Sequence, residues 1–390
     1  MTLFLLGNHA TPPGLGLPDY TISVIFQGSK LVVIFTEMKI DYLVIGQGIS
    51  GSFLCHELGK AGLSFIVIDE FRPQSASRIA SGIINPVTGR RIVKTWMIDE
   101  LLPFAWNAYK TLEDLLGVEC IRETTSIDFF PTPQMRLAFL DRLQEEPQYI
   151  SLPADENSWY HLLNYNFGYG IIHPCHLVNL QELLPAWRKS FLAKGLLRET
   201  RFEPDQVVLT STGIEYQNIF AGKIIFCDGI SSQENNWFKN LPFAANKGEV
   251  LIVEIKELPP GTILKRGISI VPWKEDLFWV GSSHEWQFEN DQPTDLFRQK
   301  TEAQLKSFLK LPFKIIDHWA SIRPATLERR PFIGFHPLHP QIGIFNGMGT
   351  KGCSLAPYFA RQLVQHLTNK TALLPDVNIE RFKRVLSLNR

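Results

Sequence analysis

The stretch Asp41-Tyr-Leu-Val-Ile-Gly46-Gln-Gly48-Ile-Ser-Gly51 decides the fold, because an apolar strand runs into three spaced glycines and then into a helical pattern. Gly46 lets the chain turn sharply out of the strand, Gly48 removes the Cβ that would block a pyrophosphate, and Gly51 lets the helix pack closely on the sheet. The helix expected over 49–61 aims the N–H groups near Ile49 and Ser50, and roughly half a positive charge, at the phosphates. Its buried face carries Phe53, Leu54 and Leu58, and Gly62 stops it. The second strand, residues 64–68, leads into Asp69, 23 residues after Gly46, with Glu70 beside it. A carboxylate there accepts hydrogen bonds from ribose hydroxyls and repels a 2′-phosphate. Glycines with a strand before them, a helix after and an acid at this distance make a dinucleotide-binding βαβ unit.

The remaining composition narrows the class. A chain of 390 residues that is 45% hydrophobic can bury one large or two medium cores, and two domains are expected. Lys+Arg and Asp+Glu both number 39, so no overall field steers nucleic acid or membrane, and RNA binding would need a local patch. Cys55, Cys120, Cys175, Cys227 and Cys353 form no CxxC pair, which predicts reduced thiols in a cytoplasmic protein and neither disulfides nor a metal site. No apolar run reaches the ~20 residues of a spanning helix. Residues 1–37 read as an extension, a start-site artefact or a loose arm, since Met38 looks like an ordinary start; within it, residues 20–35 are β-rich enough to pair as a hairpin around Gly28-Ser29.

Downstream, strands and helices alternate without a repeat. Helices are expected over 105–116, 176–193, 294–309 and 353–367, and residues 131–165 read as turn-rich. Apolar alternation over 250–255, 268–271 and 277–280 predicts an antiparallel sheet. A buried strand closes on Asp228-Gly229, and strands over 313–322 and 342–345 precede a second glycine loop, Gly347-Met348-Gly349-Thr350-Lys351-Gly352, which opens the last helix.

The opening fingerprint, the Asp228-Gly229 strand end, the segment Ser321-Ile-Arg323-Pro-Ala-Thr-Leu-Glu-Arg-Arg-Pro331-Phe-Ile-Gly334 and the second glycine loop running into Ala356-Pro357 together resemble the superfamily of D-amino-acid oxidase, glycine oxidase and sarcosine oxidase. The resemblance spans residues 39–367. Its nearest look is to the flavin half of the bifunctional enzyme acting on carboxymethylaminomethyl-uridine in tRNA, where a Gly-Met-Gly-Ser-Arg-Gly loop also precedes Ala-Pro; no methyltransferase domain accompanies it here. The resemblance implies an α/β fold: a Rossmann-type FAD-binding domain with a parallel central sheet (38–85, 165–230 and 325–390) and an α+β substrate domain with a mostly antiparallel sheet (86–164 and 231–324).

It also implies FAD. The second glycine loop brings bare backbone N–H groups and another helix dipole against the flavin pyrimidine edge, where negative charge collects on reduction. Ser77, Ser81 and Gly82 would line the cofactor, and the absence of cysteine between Lys310 and Gly352 predicts that it is held non-covalently. Arg323 would hold a substrate carboxylate, because a guanidinium fork meets a carboxylate bidentately, and Pro324 keeps Arg323 extended. Lys351 is a candidate for contact with substrate or the reactive edge, and His284 for a wall or proton relay; each also reads as an ordinary solvated or satisfied side chain. Arg90, Arg91 and Lys94 would touch phosphates if the substrate were RNA, against a solvated charged face. The implied reaction is oxidation of the C–N bond of a small amino acid or N-substituted glycine by hydride transfer to flavin N5, giving an imine that water hydrolyses. Two further readings stand beside it: the same chemistry on a tRNA wobble uridine, and a flavin-binding module without turnover.

Overall fold

The computed structural model describes residues 3–4, 19–27, 30–89 and 91–388, with side chains from Met38 onward. Its first sheet is built around the strand Lys30–Ile45, whose second half pairs in parallel with Phe65–Ile68 on one side and Ile219–Phe226 on the other. Leu197–Arg198 extends the sheet in parallel beyond Phe65–Ile68, and Ile342–Asn346 beyond Ile219–Phe226. Along the central strand Tyr42 and Val44 face one apolar cluster while Leu43 and Ile45 face another. Both faces being covered, the strand reads as a continuous apolar run rather than an alternating one.

Helices Ile49–Lys60, Ile98–Leu116, Leu180–Ala193 and Gly352–Asn369 pack together over the first of these faces. The first half of Lys30–Ile45 pairs antiparallel with Asp19–Gln27. The Gly28-Ser29 turn expected between them lies outside the described residues.

The second sheet runs in the order Lys314–Arg323, Asn246–Glu254, Leu277–Gly281, Ile268–Lys274, Ile263–Arg266, Ile121–Phe129, Tyr169–Val178 and Ile83–Ile84. All its pairings are antiparallel except that of Ile263–Arg266 with Ile121–Phe129. Leu251 and Val253 turn outward to meet Phe297, Leu305 and Phe308 of the helix Asp295–Phe308. Val250, Ile252, Val271 and Trp279 form a separate cluster on the opposite face.

Three elements differ from the sequence reading. The helix expected from 105 begins at Ile98 and runs through Pro103, losing one ladder bond there. A helix over Pro133–Glu145 occupies the stretch read as turns; Thr132 caps it by accepting from the Met135 N–H, but only Phe139 is buried, so its amphipathic signal is faint. The helix expected from 176 starts at Leu180, because His176–Val178 still pair in the strand Tyr169–Val178 and Asn179 supplies the cap. That strand, inside the stretch assigned to the first domain, belongs to the second sheet. Among the described residues no helix is long and apolar enough to cross a membrane, and all five cysteines are free and buried.

Leu43 is 0% exposed at the centre of the parallel sheet. Leu43→Ala is therefore expected to lower the unfolding free energy by about 2–5 kcal/mol in a urea titration, and a loss below about 1 kcal/mol would contradict the central placement of this strand.

Candidate active site

Parallel pairing sets Ile45 level with Ile68 and Phe226, and Phe226 level with Ile344. The loops leaving these strands therefore emerge side by side at the carboxyl edge, where ligands of such sheets bind. Gly46 turns there with φ +99°, and a Cβ on it would lie 2.6 Å from the Cys227 carbonyl oxygen. A Cβ on Gly51 would lie 1.9 Å from the Gly46 carbonyl oxygen, so the helix Ile49–Lys60 can sit this close only with glycine. The Ile49 N–H donates to Ser77 Oγ at 3.1 Å, which brings the 77–82 segment to the helix N-terminus, with Ser50 in the first turn.

Asp69 is more heavily engaged than its sequence position suggests. It accepts from the Gln47 N–H (2.9 Å), the Phe71 N–H (3.0 Å) and Arg188 Nη1 (2.6 Å). Arg188, only 6% exposed, also donates twice to Glu199 Oε1 and once to Gln47 Oε1. Sequence reading missed Arg188; the available signal was a charge set in the buried stripe with Leu184 and Trp187. Glu70 turns to the rim and pairs with Arg72 at 2.6 Å.

The second glycine loop is tied to the same edge. Ser232 Oγ donates to Asp228 Oδ1, and Asn346 Nδ2 donates to the Gly229 carbonyl at 2.7 Å and to Ser232 Oγ at 2.9 Å. Asn346 Oδ1 in turn accepts from the Gly347 N–H at 2.8 Å. Burial pushes the Asp228 carboxyl up to about 7. Gly347 and Gly349 take positive φ, +79° and +55°, and the Gly349 N–H donates to the Pro324 carbonyl at 3.2 Å, so the loop carrying Met348 and Thr350 lies against the segment that follows Arg323.

The ends of these two helices fit a pyrophosphate and a flavin edge. Helices Pro133–Glu145, Leu180–Ala193 and Asp295–Phe308 have side-chain caps from Thr132, Asn179 and Thr294. Helices Ile49–Lys60 and Gly352–Asn369, which open at the glycine loops, have no cap from the side chain of the preceding residue and no acid in the first turn; among the described residues, of the end N–H groups of the first helix only that of Ile49 is taken, by Ser77 Oγ. Uncapped N–H groups with an uncompensated dipole are what an anionic cofactor requires. Gly82 meets the second sheet: a Cβ on it would lie 1.9 Å from the Val178 carbonyl oxygen. Ser81 lines a cleft with Gln181 and Trp273.

Arg323 ends the edge strand of the second sheet, half-buried. Its Nη1 donates to Asn246 Oδ1 (2.7 Å) and the Ser283 carbonyl (3.2 Å), and its Nη2 to Ser282 Oγ (2.7 Å). A Cβ on Gly248 would lie 1.8 Å from Nη2, so glycine makes room for the fork. Burial pushes the guanidinium down to about 10, and among the described residues no carboxylate lies within ion-pair range of it. A desolvated cation held by neutral acceptors is an anion site. His284 is exposed beside it, its Nδ1 3.3 Å from the same Asn246 Oδ1. Asn246, Ser282 and Ser283 were not read from sequence, where only strand pairing could bring them to Arg323.

Lys351 points elsewhere. Its Nζ donates to Asn85 Oδ1 at 3.0 Å, and burial, with the like charge of Lys265 adding to it, pushes the ammonium down to about 8. Lys265 is itself paired with the buried Asp128 at 2.7 Å. Among the cations considered for RNA, Lys94 is held by Asp99 (2.8 Å) and Glu146 (3.3 Å), Arg91 is exposed, and Arg90 lies outside the described residues.

Residues 41–366 match the family model of the FAD dependent oxidoreductases known as DAO. The chain belongs to this family. A glycine oxidase of Pseudomonas aeruginosa is 24% identical over 358 residues, covering 85% of this chain and 96% of the relative. The crystal structure of glycine oxidase from Geobacillus kaustophilus superposes with a TM-score of 0.71 at 16% identity, over 88% of this chain and 98% of the other. That of iminodiacetate oxidase from Chelativorans sp. BNC1 gives 0.69 at 18% identity, over 87% and 98%. The protein is thus an FAD-dependent oxidoreductase with the mixed parallel and antiparallel architecture of these structures.

Lys351 lies in the second glycine loop rather than beside Arg323, and a role for its ammonium at the flavin edge predicts that kcat/KM for an oxidised amine falls as pH rises through about 8. Lys351→Met should remove that inflection; an identical profile in both proteins would exclude Lys351 from the reaction.

Proposed function

We propose that the protein oxidises the C–N bond of a small amino acid or N-substituted glycine, the substrate carboxylate being held by Arg323. The observation that carries this reading is a half-buried guanidinium fork with Asn246, Ser282 and Ser283 as neutral partners and, among the described residues, no acid within ion-pair range. Residues of the two glycine loops, from Gly46 to Gly51 and from Gly347 to Gly352, together with Asp69, Ser77 and Gly229, would hold FAD without a covalent bond. When bound, FAD supplies the two-electron acceptor.

The chain's own contribution is placement. A carboxylate docked on Arg323 fixes the carbon bearing the amine near the loop Gly347–Gly352, which touches the residues following Arg323 through Gly349 and Pro324. Positioning of this kind supplies up to ~7–11 kcal/mol in well-oriented systems. The half-buried setting thins the water around the fork, which strengthens the charge pair. His284, hydrogen-bonded to Asn246, is placed at the rim to exchange protons between the amine and solvent. The product imine is hydrolysed by water.

Charge-assisted hydrogen bonds contribute about 1.5–3 kcal/mol each, so Arg323→Ala is expected to raise KM for glycine, sarcosine or iminodiacetate by about 100-fold or more. Arg323→Lys, which keeps the charge but loses the fork, should fall between. An unchanged KM in Arg323→Ala for every amine that the wild-type protein oxidises would refute the assignment.

A further inference from the structure

We infer that Glu249, which faces away from the site on the far side of the second sheet, is the positioning residue that sets the guanidinium of Arg323, by fastening both ends of the 281–294 segment. This rests on the reading of Arg323 as the carboxylate anchor.

Glu249 is 0% exposed. Its neighbour Gly248 faces Arg323, and successive residues of a strand face opposite ways, so the Glu249 side chain lies behind the sheet. There its Oε1 accepts from Thr294 Oγ1 (2.9 Å), and its Oε2 from the Thr294 N–H (2.6 Å) and His318 Nε2 (3.0 Å). Lys247, 2% exposed, stands 3.5 Å from Oε1 and balances the charge. The main chain of the same residue holds the other end of the segment. The Glu249 N–H donates to Ser283 Oγ (2.9 Å), and its carbonyl accepts from the Ser283 N–H (3.2 Å).

Between these two fixed points the segment presents the Ser282 hydroxyl and the Ser283 carbonyl, both of which accept from Arg323, and the Glu285 carbonyl, which accepts from Asn246 Nδ2. Three of the groups that aim the fork, Ser282, Ser283 and Asn246, thus depend on one stapled loop. A buried carboxylate saturated by a backbone N–H, a hydroxyl, an imidazole and an ammonium is rigid in a way that an apolar contact is not. Sequence alone hides it, since Glu249 follows Asn246 and Lys247 at the polar start of the strand Asn246–Glu254, ahead of the apolar run 250–253, and reads as an ordinary strand-end charge.

The test measures acetate affinity of the FAD-loaded protein from the perturbation of its visible absorbance, with KM and kcat for an oxidised amine. The variants are Glu249→Gln, the double variant Lys247→Met with Glu249→Gln, and Arg323→Ala. Glu249→Gln leaves Lys247 buried without a counter-charge and risks misfolding, whereas the double variant removes both charges. Loss of the staple is expected to weaken acetate binding and to raise KM by about tenfold, with kcat nearly unchanged. A folded, FAD-loaded double variant that binds acetate as the wild type does, while Arg323→Ala does not, overturns the role of Glu249 and leaves Arg323 standing. Acetate binding undiminished in Arg323→Ala overturns both.

Discussion

The parallel pairing of Ile45, Ile68, Phe226 and Ile344 at one level of the first sheet is the constraint on which the rest of the molecule depends. It brings four strand exits to one edge, and each then carries what an extended dinucleotide needs. Gly46 and Gly51 let the chain turn and pack where any Cβ would collide with a carbonyl oxygen. Asp69 stands at the neighbouring exit, Asp228 and Gly229 at the next, and Asn346 ties that exit to the loop beginning at Gly347. Apolar burial on both faces makes this register costly to change, because a slip of one residue would carry every core side chain to the wrong face.

Much of this edge was legible in the sequence, and the reason is local. A glycine required by sterics, an acid a fixed distance on and a helix that must follow are all encoded within some thirty residues, so the βαβ unit and the second glycine loop could be read directly. What was not legible is non-local. Asn246, Ser282 and Ser283 reach Arg323 only through the pairing of Asn246–Glu254 with Leu277–Gly281 and Lys314–Arg323. Arg188 reaches Asp69 from a helix more than a hundred residues later. The helix Pro133–Glu145 escaped because it buries a single residue, Phe139, and the strand end at His176–Val178 because its apolar residues also suit a helix. The resemblance to the oxidase superfamily supplied FAD and the role of Arg323; spacing supplied the nucleotide fold.

The electrostatic design of the site follows from the same separation of sheets. The carboxyl edge of the first sheet offers helix dipoles and, in its second glycine loop, the lowered ammonium of Lys351, and the second sheet offers a guanidinium with no carboxylate in ion-pair range among the described residues. Each is a cost to the folded state that an anion relieves. A flavin and a carboxylate substrate would do so together, and fold membership in the DAO family matches that demand.

The most direct test is a titration of protein stripped of cofactor with FAD, followed by quenching of flavin fluorescence and by protection from thermal unfolding. A single saturable site, abolished by Gly51→Val because that side chain must displace the Gly46 carbonyl, is the predicted result. Failure of the wild-type protein to bind FAD, or binding that Gly51→Val leaves intact, would contradict the account.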